Sequence, residues 1–226
     1  MTGEQAWLDA MWPFVRTHLP IAPASVLEIG CGPLGGFVPE LRNAGYQAVG
    51  VDPEAPDAPP FHRFEFERYA AAEQVDAVVA SLSLHHVADP AVVLDQVVDA
   101  LRPGGTVVVI EWARERFDES TARWCFARLP QPPAGEDGGW LARRRVEWAA
   151  SGQSWDTFRE AWARRESMHT GREVLDALDR RFQRQSLAVG PYFFPDLTGT
   201  TAADEQAAID AGTIQATCLR YVGRRR

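Results

Sequence analysis

Short apolar segments alternate with helical or loop segments along the first half of the chain, and this alternation constrains the fold more than any other feature. Five of these segments are rich in β-branched residues and bounded by turn residues, as buried strands are. The predicted strands are 25–29, 46–51, 61–66, 75–80 and 106–110. Strands separated by crossovers in this way predict a mostly parallel sheet with helices on both faces, which is an α/β fold. Such sheets bind ligands beyond the carboxyl ends of their strands.

Helical patterns occupy the ends and the crossovers of this region. The segment 3–18 is amphipathic, but Pro13 lies inside it and predicts a kink or a break. A helix is expected over 36–44. Another is expected over 90–101, because Asp89 can cap it and Pro90 tolerates the first turn.

The composition changes after Glu111. Residues 112–168 show no clear strand pattern and hold six of the eight tryptophans. Helices are predicted at 118–129, 139–151, 154–167, 172–181 and 202–211, and β-rich segments at 186–194 and 213–222. A chain of 226 residues is expected to form a single domain, 1–226, in which 112–168 are a helical lid or cap inserted after strand 5.

Charge and cysteine content exclude several classes of function. The 23 basic residues, all arginine, are outnumbered by 31 acidic ones, and the net charge of −8 disfavours binding to nucleic acid. The three cysteines lack metal-ligand spacing, so we expect reduced thiols and no metal. The N-terminus does not resemble a signal peptide, and no apolar run approaches the roughly 18 residues that span a bilayer. We therefore expect a soluble, cytoplasmic protein with no membrane partner.

A glycine-rich segment follows the first predicted strand. Gly30, Gly32 and Gly35 have the spacing G-x-G-x-x-G, where glycine permits positive φ and the close approach of a ligand. This spacing alone would also fit a nicotinamide-dependent oxidoreductase. Asp52 ends the second strand, where a carboxylate can bind both hydroxyls of a ribose. Glu28, beside the loop, would repel a pyrophosphate, whereas a sulfonium ligand with an ammonium group tolerates it.

The sequence resembles the class I S-adenosylmethionine-dependent methyltransferases that act on small molecules. The resemblance rests on segments 28–32, 51–52, 76–81, 84–87 and 101–105, which read EIGCG, VD, DAVVAS, LHHV and LRPGG in the order typical of that family. It implies a Rossmann-like, doubly wound sheet of seven strands with an antiparallel terminal strand. It also implies that S-adenosylmethionine is the methyl donor and S-adenosylhomocysteine the product.

The same resemblance implies the residues that bind this cofactor. The glycine loop and Glu28 would line the methionine end, and Asp52 would bind the ribose. Glu67 would meet the adenine amino group with Phe66 against the ring, or Glu65 would do so if the register slips by two. Pro33, in the glycine loop, departs from the family pattern. The implied cofactor-binding residues are Glu28, Gly30, Cys31, Gly32, Asp52, Pro53, Phe66, Glu67, Ser81 and Leu82.

Two adjacent histidines leave the fourth predicted strand toward the same crevice. If the acceptor atom belongs to a hydroxyl, phenol or amine, a base of near-neutral pKa assists the transfer. We favour His85 as the residue that faces the site, with His86 as the alternative. Glu111, at the end of the fifth strand, either orients a histidine or binds substrate, and His169 is a weaker candidate. Two histidines with purely structural roles are the remaining alternative.

The predicted function is methyl transfer to an oxygen, nitrogen or carbon atom of a small organic acceptor by in-line displacement. The aromatic residues of 112–168, with those at 192–194, either pack helices together or line a pocket for an aromatic or apolar acceptor. The Asn/Asp-Pro-Pro-aromatic motif that goes with methylation of base amino groups in the family that this sequence resembles is absent after the fourth predicted strand. Residues 81–84 read SLSL instead, which argues against methylation of nucleic-acid bases. The alternatives are a family member that performs other chemistry on the cofactor, or none, and then an NAD(P)-dependent oxidoreductase. We expect a monomer or a homodimer.

Overall fold

The computed structural model describes residues 3–69, 73–130 and 138–226. Its strands are β1 (Ser25–Ile29), β2 (Gln47–Val51), β3 (Phe61–His62), β4 (Val75–Ser81), β5 (Leu101–Trp112), β6 (Phe182–Gly190) and β7 (Cys218–Arg225). Its helices are α1 (Gly3–His18), α2 (Val38–Asn43), α3 (Pro90–Ala100), α4 (Glu119–Phe126), α5 (Gly139–Ser151), α6 (Trp155–Arg165), α7 (Gly171–Arg181) and α8 (Ala202–Asp210).

The strands form one sheet in the order β3-β2-β1-β4-β5-β7-β6. β1 pairs in parallel with both β2 and β4, so that Glu28 lies opposite Gly50 on one side and Val79 on the other. Six strands are parallel, the terminal strand is antiparallel, and helices cover both faces. The predicted Rossmann-like α/β class is therefore confirmed. The winding reverses between β1 and β4, which places a crevice at the carboxyl ends of these strands.

The chain divides into two compact units. The first, here called the sheet unit, comprises Met11–Trp112, His169–Ala188 and Leu219–Arg226. The second, here called the helical unit, comprises the residues up to Ala10, Ala113–Met168 and Val189–Cys218. The insertion after β5 therefore belongs to the helical unit, and its action as a lid stays a prediction.

The core of the sheet unit is formed by the central strands together with α3 and α7. Leu27, Val78 and Val107, on β1, β4 and β5, are almost completely buried. They share one core cluster with Leu94 of α3 and Leu178 of α7. Burial of each such side chain contributes about 1.5–3 kcal/mol. This core fixes the strand ends from which the predicted site residues project.

Local signals set the start of α3 as expected, whereas its end differs, because Leu101 already begins β5, and Pro13 also acts differently. The Asp89 carboxylate accepts a hydrogen bond from the Ala91 N–H at 2.8 Å, and Pro90 occupies the first turn. α1 continues through Pro13, so the predicted break does not occur. The C=O of Pro13 accepts a hydrogen bond from the Thr17 hydroxyl at 2.7 Å.

The third predicted strand is much shorter than expected. Only Phe61–His62 pairs with β2, so the prediction of a strand to residue 66 is wrong beyond His62. Phe66 is instead buried in the core and begins a turn of 3₁₀ helix, Phe66–Arg68. The turn closes with a hydrogen bond from the Tyr69 N–H to the Phe66 C=O at 2.8 Å. The chain therefore leaves the sheet after His62, and the Phe66 ring packs in the core instead.

A buried carboxylate ends the β-rich segment predicted at 186–194. Glu205 of α8 has no exposed surface. It accepts hydrogen bonds from the backbone N–H groups of Tyr192, Phe193 and Phe194 at 2.8, 3.1 and 2.7 Å. Amides bound to a carboxylate cannot also join a strand ladder, and β6 accordingly ends at Gly190.

The helical unit is built around buried aromatic rings. The Phe117 ring lies 4.9 Å from Trp155 and 4.6 Å from Phe193, measured between ring centroids, and all three are fully buried. These rings therefore belong to the core of the helical unit, and a pocket for an acceptor among the other aromatic residues stays a prediction. None of the helices within the described ranges has the length and apolar character needed to cross a bilayer. The same residues include no group of three or more His, Cys, Asp or Glu side chains placed to hold a metal ion.

Candidate active site

The predicted site residues all lie in the sheet unit, and most lie near the carboxyl ends of its parallel strands. The glycine loop follows β1, Asp52 follows β2, Leu82 follows β4, and Glu111 is near the end of β5. Phe66 and Glu67 lie in the 3₁₀ turn after β3. Four strands thus bring their site residues to one edge of the sheet, where the winding reverses.

The glycine loop has a backbone that only glycine adopts without strain. Gly30 and Gly32 have φ angles of +81° and +60°. The Gly30 N–H donates to the Val51 C=O at 3.0 Å, which ties the loop to the end of β2. A Cβ atom on Gly30 would lie 2.5 Å from the Ser83 Cβ and 2.7 Å from the Ser81 carbonyl oxygen. The close packing of this turn therefore requires a residue with no side chain.

Glu28 lies beneath the loop and is completely buried. Its carboxylate accepts hydrogen bonds from the Phe37 N–H at 2.8 Å and the Ser81 hydroxyl at 3.1 Å. A Cβ on Gly36 would lie 2.4 Å from its Oε1. Burial raises the pKa of Glu28 to about 8, which the hydrogen bonds oppose only in part. These contacts hold the glycine loop in place. The predicted contact of Glu28 with the methionine end of the cofactor stays a prediction.

Cys31 and Asp52 lie close together beside the loop. Burial raises the pKa of the Cys31 thiol to about 12, and the charges of Glu28 and Asp52 add to the effect. The thiol therefore stays protonated and is not a nucleophile at neutral pH. Asp52 is half-buried and accepts a hydrogen bond from the Glu54 N–H at 2.7 Å, which forms a turn through the exposed Pro53.

The residues predicted to meet adenine follow β3. Phe66 is buried in the core and stacks on Tyr69 with their ring centroids 6.0 Å apart. Glu67 is half-buried, and its C=O accepts a hydrogen bond from the Gln96 amide at 3.1 Å. Glu65 is exposed. An adenine contact through Glu67 or Glu65 stays a prediction.

Phe61 is a neighbour of the loop that the sequence analysis did not assign to the site. A Cβ on Gly35 would lie 2.7 Å from its ring, and a Cβ on Gly50 would lie 2.9 Å from it. A glycine inside a strand indicates that another group approaches the backbone closely. Gly50, in the middle of an apolar strand, was therefore the signal that could have revealed Phe61.

The chain leaves β4 through a strained residue. Leu82 has φ = +50°, a left-handed conformation that costs a non-glycine residue about 1–3 kcal/mol. Its N–H donates to the Ile110 C=O at 2.8 Å, which holds it in place. The hydroxyl of the preceding Ser81 lies 3.1 Å from Glu28 Oε1 and 3.5 Å from the Gly30 C=O. The Ser81 hydroxyl thus connects the end of β4 to Glu28 and to the glycine loop.

His85 and Glu111 form a buried pair. His85 Nδ1 lies 2.6 Å from Glu111 Oε2, and the side chains are 5% and 1% exposed. The backbone N–H groups of Leu84 and Trp112 also donate to this carboxylate, at 2.6 and 3.0 Å. Burial pushes the pKa of Glu111 up, but the His85 ring and the two amides outweigh it and hold the pKa below its usual value. An ionised Glu111 accepts the Nδ1–H, so the basic atom of a neutral His85 is Nε2.

His86 points differently from its neighbour. It is exposed, and its ring centroid lies 4.1 Å from that of the buried His85. The weaker candidate, His169, is half-buried and bonds to this segment twice. Its N–H donates to the His85 C=O and its Nε2 to the Val87 C=O, both at 2.9 Å.

Residues 7–184 match the family model described as a methyltransferase domain. The matched range contains every predicted site residue from Glu28 to Glu111. The chain belongs to this methyltransferase family. The match separates it from the nicotinamide-dependent oxidoreductases that the glycine spacing alone would also fit.

Curated relatives of this methyltransferase include ubiquinone biosynthesis O-methyltransferases. One from Xylella fastidiosa (strain 9a5c) is 30% identical over 127 residues, which cover 47% of this chain and 51% of the relative. One from Xanthomonas euvesicatoria pv. vesicatoria (strain 85-10) is 32% identical over 123 residues, which cover 46% and 51%. The chain thus spans about half the length of the curated relatives it matches.

Solved methyltransferases share the fold over nearly the whole chain. An S-adenosylmethionine-dependent methyltransferase from Mesorhizobium loti is 22% identical, with a TM-score of 0.57, and the match covers 96% of this chain and 100% of that one. The geranyl diphosphate C-methyltransferase of Streptomyces coelicolor A3(2), crystallised with S-adenosyl-L-homocysteine, is 16% identical, with a TM-score of 0.55 and coverage of 96% and 76%.

Proposed function

We propose that this methyltransferase transfers a methyl group from S-adenosylmethionine to a hydroxyl oxygen of a small organic acceptor. The observation that carries the proposal is the buried His85–Glu111 pair, at the same edge of the sheet as the glycine loop. A hydroxyl must lose its proton to become a good nucleophile, and this pair is built to accept one. The O-methyltransferases among the curated relatives support the choice of oxygen.

The residues at this edge fit S-adenosylmethionine. Gly30 and Gly32 have positive φ angles and add no side chain of their own to the loop, and the half-buried carboxylate of Asp52 suits the two ribose hydroxyls. Half-buried Leu82 offers apolar surface to the methionine carbons. Glu28 holds the loop from beneath. When bound, S-adenosylmethionine supplies an electrophilic methyl carbon that leaves sulfur as the acceptor oxygen attacks in line, giving S-adenosylhomocysteine.

His85 acts as the general base. Its Nε2 takes the proton of the acceptor hydroxyl, and the imidazolium that forms is stabilised by the carboxylate of Glu111, 2.6 Å from Nδ1. Because Glu111 is also fixed by the Leu84 and Trp112 amides, it holds the ring in one orientation and one tautomer. General-base assistance of this kind contributes about 10²–10⁴-fold in rate.

The variant His85→Asn tests this assignment. Asparagine can keep a donor near the position of Nδ1, so that Glu111 stays paired, but it has no atom equivalent to Nε2. Turnover with a panel of small phenols and catechols should fall by about 10²–10⁴-fold while affinity for S-adenosylmethionine stays within about threefold. Mass spectrometry of the nucleoside products gives the rate.

A wild-type rate for His85→Asn would remove His85 as the base. The same products identify the reaction of the wild-type protein, because S-adenosylhomocysteine indicates methyl transfer and methylthioadenosine indicates elimination. His86→Asn is the matched control, and its turnover should stay close to that of the wild type. A large loss in the control with none in His85→Asn would move the base to the exposed ring.

A further inference from the structure

We infer that His169 is a positioning residue for His85, acting through the backbone of residues 85–87. The inference rests on the proposed function of His85 as base. It assigns to His169 a role through hydrogen bonds to the main chain, with no contact to the reacting atoms.

Two hydrogen bonds join His169 to the segment that carries the base. Its backbone N–H donates to the His85 C=O, and its ring Nε2 lies at hydrogen-bond distance from the Val87 C=O, both at 2.9 Å. A carbonyl only accepts, so the Nε2 of His169 must carry a proton. The two carbonyls flank His86, and the segment is therefore held on both sides of the exposed ring.

His169 is itself fixed by the helix that follows it. Thr170 caps α7 in a reciprocal capping box, in which the Thr170 N–H donates to the Glu173 carboxylate at 2.7 Å and the Glu173 N–H to the Thr170 hydroxyl at 3.1 Å. α7 is anchored in the core of the sheet unit through Val174 and Leu178. The packing of α7 in the core therefore fixes the position of His169.

The base is consequently held at two independent points. Glu111 on β5 fixes the His85 ring, and His169 fixes the His85 carbonyl and the chain after it. Without the Nε2 bond the His85 ring can still pair with Glu111 and the His169 N–H can still bond to the His85 C=O, but the chain at Val87 loses the restraint that follows the base. Small misplacements of a reacting group cost large factors in rate, about 10²-fold for 1 Å. The glycine loop and Asp52 make none of these bonds, so cofactor binding should not change.

The variants His169→Leu and His169→Gln separate the hydrogen bond from simple packing. Leucine fills space without a donor, whereas glutamine can place an amide N–H near the position of Nε2. We expect His169→Leu to lower kcat about 10–100-fold with the Kd for S-adenosylhomocysteine and the acceptor KM unchanged. His169→Gln should recover kcat to within about threefold of the wild type. Equal kcat values in all three proteins would overturn the inference, as would equal losses in both variants.

A spectroscopic measurement keeps this test separate from that of methyl transfer. The Nδ1–H of His85, in a short hydrogen bond to Glu111, should give a downfield proton resonance in the NMR spectrum of the wild-type protein. That resonance should broaden in His169→Leu and sharpen again in His169→Gln. If it responds so while the wild-type protein transfers no methyl group, the positioning role stands and the proposed function fails. An unchanged resonance in His169→Leu would remove the positioning role.

Discussion

Two buried carboxylates at the carboxyl edge of the sheet have pKa values shifted in opposite directions. Desolvation dominates at Glu28, whose partners are a backbone amide and a neutral hydroxyl, so its pKa rises to about 8. Glu111 is equally buried, but the His85 ring and two amides hold its pKa below the usual value. Glu28 is therefore mostly neutral at pH 7, which weakens the expectation that its charge would repel a pyrophosphate. Glu111 carries the charge that a protonated histidine needs.

Asp52 is the residue whose removal should most directly weaken cofactor binding. If Asp52 binds the ribose as proposed, Asp52→Ala deletes charge-assisted hydrogen bonds that are each worth about 1.5–3 kcal/mol. Affinity for S-adenosylhomocysteine, measured by calorimetry, should fall by at least tenfold. Glu54→Gln, in the same turn, is the control, because only the backbone N–H of Glu54 bonds to Asp52. Equal affinities for Asp52→Ala and the wild type would contradict the ribose assignment.

At the scale of elements, the glycine loop depends on the end of β4. Gly30 combines a φ of +81° with close approach to Ser83 and to the Ser81 carbonyl oxygen. Gly104, near the start of β5, has a similar φ of +73°, but a Cβ there would meet nothing within 4 Å. The two glycines thus share a conformation and differ only in their surroundings.

This pair gives a matched test of the loop. Gly104→Ala should cost only the left-handed backbone strain, about 1 kcal/mol, with cofactor affinity unchanged. Gly30→Ala pays the same strain and must also displace the Ser81–Ser83 turn, so it should destabilise the fold by more and abolish measurable binding of S-adenosylhomocysteine. Chemical denaturation and calorimetry measure the two effects. Binding that survives in Gly30→Ala would show that the loop does not need this close packing.

Elements with strong local signals could be predicted from the sequence, and elements shaped by distant residues could not. The cap at Asp89 and the apolar runs of β1 and β4 each carry their own signal, and they form as expected. The end of β3 depends on where Phe66 is buried, and the end of β6 on a carboxylate from α8. The sequence analysis offered a pair between Glu111 and a histidine as one of two alternatives, and the choice between them, with His85 as the partner 26 residues away, required the register of β4 and β5.

At the scale of the whole molecule, the likeness in fold extends further than the likeness in sequence. The solved methyltransferase from Mesorhizobium loti covers 96% of this chain, whereas the curated relative from Xylella fastidiosa aligns with 47% of it. A shared fold places a site without specifying its substrate, because substrates are selected by particular side chains. The methyl acceptor must therefore be identified by experiments on this protein.

The buried Glu28 should also make the stability of the whole fold depend on pH. Its pKa of about 8 in the folded state lies above the usual 4.5, so between these values the folded state retains a proton that the unfolded state has lost. The contribution of Glu28 to the free energy of unfolding should therefore be complete below about pH 4.5. It should decline as the pH rises toward 8, by roughly 5 kcal/mol at most. Glu111 acts in the opposite sense, because its lowered pKa contributes stability that is lost in acid.

Glu28→Gln isolates the contribution of Glu28. A glutamine keeps a carbonyl oxygen that can accept from the Phe37 N–H or the Ser81 hydroxyl, the two donors that Glu28 has, but it does not titrate. The loss of unfolding free energy between pH 5.5 and 8, measured by urea denaturation, should shrink in this variant by about 2–4 kcal/mol. The exposed Glu73→Gln should leave the pH profile of the wild type unchanged. Burial without a charged partner is the cause of the raised pKa of Glu28. If the pH profile of Glu28→Gln is as steep as that of the wild type, Glu28 is ionised in the folded protein.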